Sequence, residues 1–417
     1  MQNIKVIIGA SYGDEGKGLA ADFFGAQEKE KNGAVNVLTN GGPQRGHTVE
    51  LADGRRHVFK HFGAAAFRGA ATFFAQQFLV NPMEFLREFD ELSGLHGAPE
   101  AYMHPQCRFT TPWDMLANQM LREMQGLHNS CGFGIWETVL RYQRGFGLSF
   151  EAFTSMSRED RLRWLRQLRD GFFVRRLQEV GLMTPDFPVN AQADFPAIAD
   201  SAAKALFCQN SADGLKELFF SDDLLLHFEQ DCEAMRFLCP MRGDEYLRKY
   251  RTILFENAQG LLLDGNSLEE ADFTTPSTTG VGRVFQTVEN VFRGAQVEVC
   301  YVTRSYLTRH GDGSMENELT GQELLRTLPG VGPDVTNIEN SCQVALRYGL
   351  VDARRLSERI GKDFAQCKSA AGNLYLPSVM VTHLNEYAGI DTDFLRQRFG
   401  KVYLSDGRTA QDVVCSR

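Results

Sequence analysis

The sequence predicts an α/β fold with a large, mostly parallel central sheet flanked by helices, and three observations support this. Short apolar runs bounded by Gly, Asn, Asp or Ser recur along the chain, as buried parallel strands do. Segments with helical periodicity lie between these runs, so strands and helices alternate. The chain has 417 residues, 43% of them hydrophobic, which is enough for one large core with insertions.

The expected elements follow the chain in order. Six apolar runs are predicted strands: Ile4–Ile8, Val35–Thr39, Thr252–Phe255, Val297–Val302, Val379–Thr382 and Val402–Leu404. Four segments are predicted helices: Leu19–Glu28, Pro82–Leu92, Trp113–Leu127 and Gln343–Ile360. Residues 150–250 have helical periodicity and little strand pattern, so we interpret them as a helical excursion of a single domain spanning residues 1–417.

Composition argues against several classes of partner. The net charge is -9 and there is no long Lys/Arg run, which argues against nucleic-acid and anionic-membrane partners. No stretch approaches ~20 apolar residues, and the N-terminus lacks the features of a signal peptide. The nine cysteines include no C-x-x-C pair and fit reduced thiols. We therefore expect a cytoplasmic protein.

The most informative motif is Gly9–Gly18, which follows the first predicted strand and precedes a helix. Its glycines let backbone N–H groups approach phosphate oxygens, and the helix N-terminus favours an anion. Lys17 adds positive charge, while Asp14 and Glu15 suit a phosphate site only if one holds Mg²⁺ or removes a proton from the attacking group. The motif is not a Walker A sequence, because Ser11 stands where that pattern needs glycine. The alternative is a glycine-rich turn with surface charges.

Further motifs follow other predicted strands. In Asn40–Thr48, His47 can stabilise charge on a transferring phosphoryl group, although a loop histidine is usually a solvated turn residue. Gln259 suits recognition of a base or sugar, Arg309 can pair with phosphate or carboxylate, and Asn385 can bind the edge of a base. The hydroxyls of Thr274–Gly280 suit phosphate. Each of these motifs is also compatible with an ordinary polar strand end or turn.

Taken together, in order and spacing, these motifs resemble the adenylosuccinate synthetase family. Gly13-Asp-Glu-Gly-Lys-Gly18 matches the family signature without a change. The other matching segments are Gly46-His-Thr48, Glu256-x-Ala-Gln-Gly260 with Leu262-Leu-Asp264, Thr278-Thr279, Thr308-Arg309-x-Gly311-x-Gly313 and Ser405-x-Gly407. The resemblance extends from residue 4 to about residue 410.

The resemblance implies a fold related to P-loop NTPases and a C–N bond-forming ligase. In that chemistry Asp14 takes the N1 proton of a 6-oxopurine nucleotide and binds Mg²⁺ with Gly46. The purine O6 attacks the γ-phosphate of a nucleoside triphosphate, His47 stabilises the leaving phosphate, and an amine or amino acid then displaces the 6-phosphate. Lys17 would contact phosphate, and Gln259 would position the purine. A homodimer is implied as well. The implied nucleotide-binding residues are Gly13, Glu15, Gly16, Gly18, Gly46, Thr48, Ser130, Thr274, Arg309, His383, Asn385, Ser405 and Gly407.

The chain also departs from the family pattern. Gly332–Asn337 contains no arginine where the family has an arginine run that binds the aspartate carboxylates, so L-aspartate is not supported as co-substrate. Asn385 replaces the family's guanine-binding Asp, which favours ATP over GTP. In the nucleotide-phosphate loop Asn129–Gly134, Phe133 replaces an arginine. Arg45 replaces an alanine and is expected to add charge near the phosphates.

Three functions remain open at this point. Retention of Asp14, Lys17 and His47 favours the ligase. Loss of the aspartate-binding arginines favours a phosphotransferase or phosphatase-like enzyme that stops after phosphoryl transfer. The altered base and phosphate sites allow a nucleotide-binding protein without turnover, although a decayed relative would lose residues at random.

Overall fold

The computed structural model describes residues 2–30, 33–125, 132–183, 212–265, 275–331 and 346–416. The helices are α1 Lys17–Gly25, α2 Pro82–His96, α3 Pro112–Gln125, α4 Ile135–Gln143, α5 Phe150–Thr154, α6 Arg158–Gln167, α7 Val174–Glu179, α8 Ala212–Phe220, α9 Asp222–Leu238, α10 Gly282–Val291, α11 Gly321–Thr327, α12 Ala353–Phe364 and α13 Thr392–Arg398. The strands are β1 Asn3–Gly9, β2 Ala34–Leu38, β3 His47–Glu50, β4 Arg56–Phe59, β5 Ala71–Phe74, β6 Leu79–Val80, β7 Ala101–Met103, β8 Arg108–Phe109, β9 Thr252–Gly260, β10 Gln296–Arg304, β11 Tyr306–Arg309, β12 Glu318–Leu319, β13 Arg347–Leu350, β14 Leu374–Thr382, β15 Val402–Ser405 and β16 Val413–Ser416.

A nine-stranded sheet forms the centre of the structure, in the order β16-β15-β14-β10-β1-β9-β2-β5-β7. All neighbours in it are parallel except β15 and β16. The predicted α/β fold with a mostly parallel sheet is confirmed, and all six predicted strands are present. A small antiparallel sheet, β11-β13-β12, follows the central strand β10 along the chain.

Hydrophobic side chains cover both faces of the central sheet. Along β1, Ile4, Val6 and Ile8 belong to one buried cluster and Ile7 belongs to the other, because successive strand residues point to opposite faces. Helices α1, α2 and α3 contribute to the cluster of Ile7, and α10 and α12 contribute to the opposite one. The described part of residues 150–250 is helical, and α9 packs against α2 and α6.

The predicted helix Gln343–Ile360 begins outside the described residues, and it is wrong at residues 347–350. Arg347–Leu350 is strand β13, paired with β11 and β12, and α12 begins only after Asp352, whose carboxylate accepts from two backbone N–H groups of the first turn. At Gly349 a Cβ atom would lie 2.6 Å from the carbonyl oxygen of Glu316. Tertiary pairing therefore overrides the helical pattern there. None of the helices in the described part of the chain has the length and apolarity needed to cross a membrane.

One carboxylate anchors four strands of the central sheet. The side-chain Oε2 of Glu298 lies 2.8 Å from Lys5 Nζ and 2.9 Å from Lys401 Nζ, and its Oε1 accepts from the hydroxyls of Tyr403 at 2.7 Å and Ser378 at 2.8 Å. Burial alone would raise the pKa of Glu298, but the two lysines and the hydroxyl donors lower it to about 2.

We expect Glu298→Gln to lower the free energy of unfolding by about 3–5 kcal/mol at pH 7, because Lys5 would be left buried without its charge partner. The folded-state pKa lies below the ordinary value of 4.5, so this stabilisation is present above pH 4.5 and is lost as the pH falls from 4.5 towards 2. Urea unfolding followed by circular dichroism at pH 7 and pH 3 measures both effects. The exposed Glu323→Gln is the matched control; equal effects of the two variants would refute the assignment.

Candidate active site

The carboxyl ends of the parallel strands meet at one edge of the sheet, and the turn between β1 and α1 lies there. Gly13 and Gly16 have φ values of 111° and 89°, in the left-handed region that favours glycine. A Cβ atom at Gly260, the last residue of β9, would lie 2.3 Å from the carbonyl oxygen of Ser11. The turn therefore packs directly on the end of β9.

Two charged side chains of this turn are buried beneath it. Lys17 Nζ lies 4.0 Å from Glu15 Oε2 and donates to the carbonyl oxygen of Gly13, while the N–H of Ser11 donates to Glu15 Oε1. Burial raises the pKa of Glu15 to about 7 against the lowering effect of Lys17, and burial also lowers the pKa of Lys17. These residues do not fit the alternative of a simple turn with surface charges.

Asp14 is the more accessible carboxylate of the turn. Its side chain is 28% exposed, and Oδ2 lies 3.4 Å from His310 Nε2. Arg304 also binds the turn, since its Nε donates to the carbonyl oxygen of Asp14. A single accessible carboxylate suits Mg²⁺, which binds few protein oxygens and completes its shell with water and substrate phosphates. The described residues contain no group of three His, Cys, Asp or Glu side chains arranged to hold a metal.

The second predicted loop lies against the first. A Cβ atom at Gly18 would lie 2.5 Å from the carbonyl oxygen of Thr48 and 3.0 Å from the backbone carbon of His47. The exposed Gly46 precedes these two residues at the start of β3. Strand β3 thus packs against the first turn of α1, which brings His47 and the Gly9–Gly18 turn into one site.

His47 is buried and is fixed by a carboxylate. Its Nδ1 is hydrogen-bonded to Glu256 Oε1, on β9. Burial lowers the pKa of His47 to about 4, although Glu256 acts in the opposite direction. Arg45, which is predicted to add charge near the phosphates, is a buried side chain: it is 3% exposed, and its Nη1 lies 3.5 Å from the same Glu256 oxygen.

The predicted base-binding residues follow β14 and β15 at the same edge. Thr382 Oγ1 donates to the carbonyl oxygen of Glu15 at 3.0 Å, which ties the end of β14 to the turn. His383 adopts the left-handed region at φ 62°, and Asn385 is exposed. The N–H of Leu384 donates to the carbonyl oxygen of Ser405 at 3.1 Å, and Ser405 Oγ donates to that of Gly407 at 3.0 Å.

Gln259 and Arg309 flank the turn from two other strands. Gln259 has φ 64°, which is uncommon for a residue other than glycine, and its Cα lies 3.2 Å from where a Cβ at Gly13 would be. Such backbone conformations concentrate at functional sites. The guanidinium carbon of Arg309 lies 4.9 Å from the centre of the Tyr12 ring, so Arg309 stacks on a side chain of the turn.

The structure also adds residues that sequence reasoning missed. Arg359 on α12 donates to the carbonyl oxygen of Ala10 at 3.0 Å and to Ser11 Oγ at 3.1 Å. Nothing in its local sequence marks it, whereas Arg304 and His310 could have been found as polar residues close to strand ends. Ser130, Thr274 and the loop Gly332–Asn337 lie outside the described residues.

We expect Gly18→Ala to abolish nucleotide binding, because the added methyl group would push β3 away from the turn. The measurement is the Kd for ATP and for GTP by isothermal titration calorimetry. Gly361→Ala is the control: Gly361 lies in helix α12 with nothing within 4 Å of an added Cβ, and alanine there should stabilise the protein by up to about 1 kcal/mol. Tight nucleotide binding by Gly18→Ala would show that the contact between β3 and α1 is dispensable.

The family model described as "Adenylosuccinate synthetase" matches residues 6–154 and 226–384. Adenylosuccinate synthetase from Cyanothece sp. is 25% identical over 333 residues, which cover 77% of this chain and 64% of the relative. The enzyme of that name from Clostridium botulinum Eklund 17B is 23% identical over 392 residues, or 93% of this chain and 78% of the relative. The chain thus spans less than two thirds of the Cyanothece relative.

Two solved structures share the fold. Fully ligated adenylosuccinate synthetase from Plasmodium falciparum has a TM-score of 0.59 at 14% identity, covering 99% of this chain and 87% of that one. The succinoaminodeoxyadenylate synthetase of cyanophage S-2L, bound to dGMP and to dATP as an energy donor, has a TM-score of 0.57 at 14% identity, covering 99% and 95%.

Proposed function

Because this chain belongs to the adenylosuccinate synthetase family, we propose that it is a nucleoside-triphosphate-dependent C–N ligase acting on a purine nucleotide. The observation that carries the proposal is the shared edge of the sheet: an accessible Asp14, a buried Lys17–Glu15 pair and a carboxylate-bound His47 all surround one glycine-rich turn. The substrate is a 6-oxopurine nucleotide or a compound with a related amide oxygen.

The proposed reaction has two steps. In the first, a bond forms between the 6-oxo oxygen and the γ-phosphorus, the bond from that phosphorus to the bridging oxygen breaks, and a nucleoside diphosphate leaves. In the second, the amine nitrogen bonds to C6, the C6–oxygen bond breaks, and inorganic phosphate leaves with that oxygen. An amide oxygen is a poor leaving group and a phosphate is a good one, so phosphorylation makes the substitution possible.

The roles follow from the chemistry that each group can perform. Asp14 accepts the N1 proton, which raises the nucleophilicity of the oxygen. Because Nδ1–H is held by Glu256, His47 donates to the transferred phosphoryl group from Nε2 as a protonated ring, and Lys17 adds a second positive charge. Gln259 holds the purine at the end of β9. The Asp14 carboxylate and the Gly46 carbonyl would hold Mg²⁺, which supplies charge neutralisation for the phosphates when bound.

We propose ATP rather than GTP as the phosphoryl donor. The carboxylate that accepts from both N1–H and N2–H₂ of guanine is replaced by the amide of Asn385, which cannot accept twice in that way. His383 lies next to this position, and Ser405 and Gly407 adjoin it from β15. A dATP-bound member with the same fold agrees with this preference.

The amine co-substrate is proposed to differ from L-aspartate. Arg347, which follows the loop Gly332–Asn337 in the sequence, is occupied: its Nε and Nη2 contact the Glu318 carboxylate at 2.7 and 2.5 Å, and its Nη1 donates to the carbonyl oxygens of Gly311 and Gly313. A dicarboxylate would have to displace Glu318.

We further propose a cytoplasmic homodimer without nucleic-acid or membrane partners. The net charge of -9 is in line with the absence of such partners.

A substrate panel tests the proposal. The protein is incubated with Mg²⁺, ATP or GTP, a set of purine nucleotides and pooled amino acids, and the products are analysed by mass spectrometry. A nucleotide–amine adduct formed with release of phosphate is expected. A phosphorylated nucleotide or free phosphate without an adduct would instead support the phosphotransferase, which the occupied Arg347 favours. Nucleotide binding without any turnover would indicate a non-catalytic binding protein.

A further inference from the structure

Arg45 has a position that the proposed chemistry does not explain. It lies two residues before His47, and its side chain is almost fully buried. Its Nε donates to the carbonyl oxygen of Lys60 at 2.7 Å, its Nη2 donates to that of Phe62, and its Nη1 lies 3.5 Å from Glu256 Oε1. The three contacts use three different nitrogens of the planar guanidinium, whereas all the donors of a lysine are on one nitrogen.

Glu256 links Arg45 to His47. Its Oε1 contacts both Arg45 Nη1 and His47 Nδ1, and its Oε2 accepts from the N–H of Ala64 at 3.0 Å. Burial alone would raise the pKa of Glu256, but Arg45 and His47 lower it to about 2. An ionised carboxylate only accepts hydrogen bonds, so Nδ1 of His47 must carry the hydrogen in this contact. The opposite ring nitrogen, Nε2, is then left for a ligand.

The turn that holds Arg45 is itself fixed. The carboxylate of Glu88 on α2 accepts from the N–H groups of Lys60 at 2.9 Å, His61 and Phe62 at 3.2 Å. The two carbonyl oxygens that bind Arg45 belong to this same turn. The guanidinium is therefore bound to a segment of backbone that Glu88 holds in place. It cannot rotate away from this segment without breaking both of these bonds.

We propose that Arg45 is a positioning residue for phosphoryl transfer, which holds the Glu256 carboxylate in place and thereby fixes the tautomer and orientation of the His47 ring. The catalytic role of His47 Nε2 rests on the proposed function. The positioning of the His47 ring by Arg45 and Glu256 does not. The consequence is specific: removing Arg45 should affect the chemical step and the state of His47, and not the binding of nucleotide.

Arg45→Met tests this with two readouts. In protein labelled with ¹⁵N at the histidine rings, the hydrogen-bonded Nδ1–H resonance of His47, assigned with a His47→Asn variant, should be present in the wild type and lost in Arg45→Met. With the substrates found in the panel, kcat should fall about 10²-fold while KM for each nucleotide stays unchanged. Arg45→Lys keeps the charge but not the three contacts. Its Nδ1–H signal and its kcat should therefore lie between those of the wild type and those of Arg45→Met.

Arg161→Met is the matched control. Arg161 is also buried and lies 2.6 Å from the buried carboxylate of Glu229, between α6 and α9, so its loss should cost stability without changing the His47 resonance or kcat. An unchanged Nδ1–H resonance in Arg45→Met would overturn the proposal, whatever its stability. If Arg45→Met does not fold, an unchanged resonance and kcat in Arg45→Lys would overturn it. The resonance is measured without substrates, so failure of the proposed function would appear separately, as absence of any adduct from the wild type.

Discussion

Replacing Asp14 with alanine is expected to lower kcat by at least about 10³-fold while leaving the fold intact. The variant loses the group that is proposed to accept the N1 proton, and base catalysis alone contributes about 10²–10⁴-fold. The same carboxylate is a proposed Mg²⁺ ligand, which adds to the loss. Asp14 is partly exposed and its side chain contacts His310 rather than the core, so little stability should be lost. The measurement is the rate of adduct formation, with thermal unfolding as the check on folding.

Asp393→Ala is the control for this variant. Asp393 is an exposed aspartate on α13 whose ion-pair partner among the described residues is Arg396, one turn along the same helix, and its removal should leave kcat unchanged. Asp14→Asn keeps the shape of the side chain and should be as inactive as Asp14→Ala. Activity close to that of the wild type in Asp14→Ala would remove Asp14 from the mechanism.

Glu256→Gln is expected to have the second largest effect, on both stability and turnover. The amide has the shape of the carboxylate but no charge, so Arg45 would be left buried without its counter-ion, which typically costs about 3–5 kcal/mol. The amide also lacks the negative charge that orients the His47 ring and stabilises its protonated form. Loss of such an orienting carboxylate can cost about 10³–10⁴-fold in kcat. Urea unfolding and the rate of adduct formation measure the two effects.

Glu229→Gln separates these effects. Glu229 is buried and pairs with Arg158 and Arg161 within the helical region, and neither arginine contacts Glu256 or His47. We expect it to lower the free energy of unfolding by a similar amount while kcat stays within a factor of two. If Glu256→Gln loses stability but retains kcat, His47 does not depend on this carboxylate.

Much of the site could be predicted because it is encoded locally. The turn after β1 needs glycines at positive φ and a lysine at the start of a helix, and both are visible in ten consecutive residues. The carboxyl ends of parallel strands share one edge, so the amino-acid sequence alone is enough to place the motifs after β9 and β14 near this turn.

The rest of the site depends on contacts between distant segments. Arg359 reaches the turn from α12, more than 300 residues along the chain, and nothing in its own helix indicates this. Arg45 is a charged loop residue, and only the packing of the turn at Lys60 and of β9 shows that it is buried. The sequence pattern predicts helix at strand β13 because the pairing of this strand with β11 and β12 is not visible in its own four residues.

In the proposed mechanism the 6-oxo oxygen of the acceptor nucleotide, and not water, attacks the γ-phosphate. An acceptor nucleotide labelled with ¹⁸O at the 6-oxo position tests it directly, with the inorganic phosphate analysed by mass spectrometry after a single turnover. We predict that each phosphate released with an adduct carries one ¹⁸O atom, because the C6–oxygen bond breaks in the second step. Unlabelled phosphate, with the ¹⁸O retained in the nucleotide, would contradict the proposed mechanism.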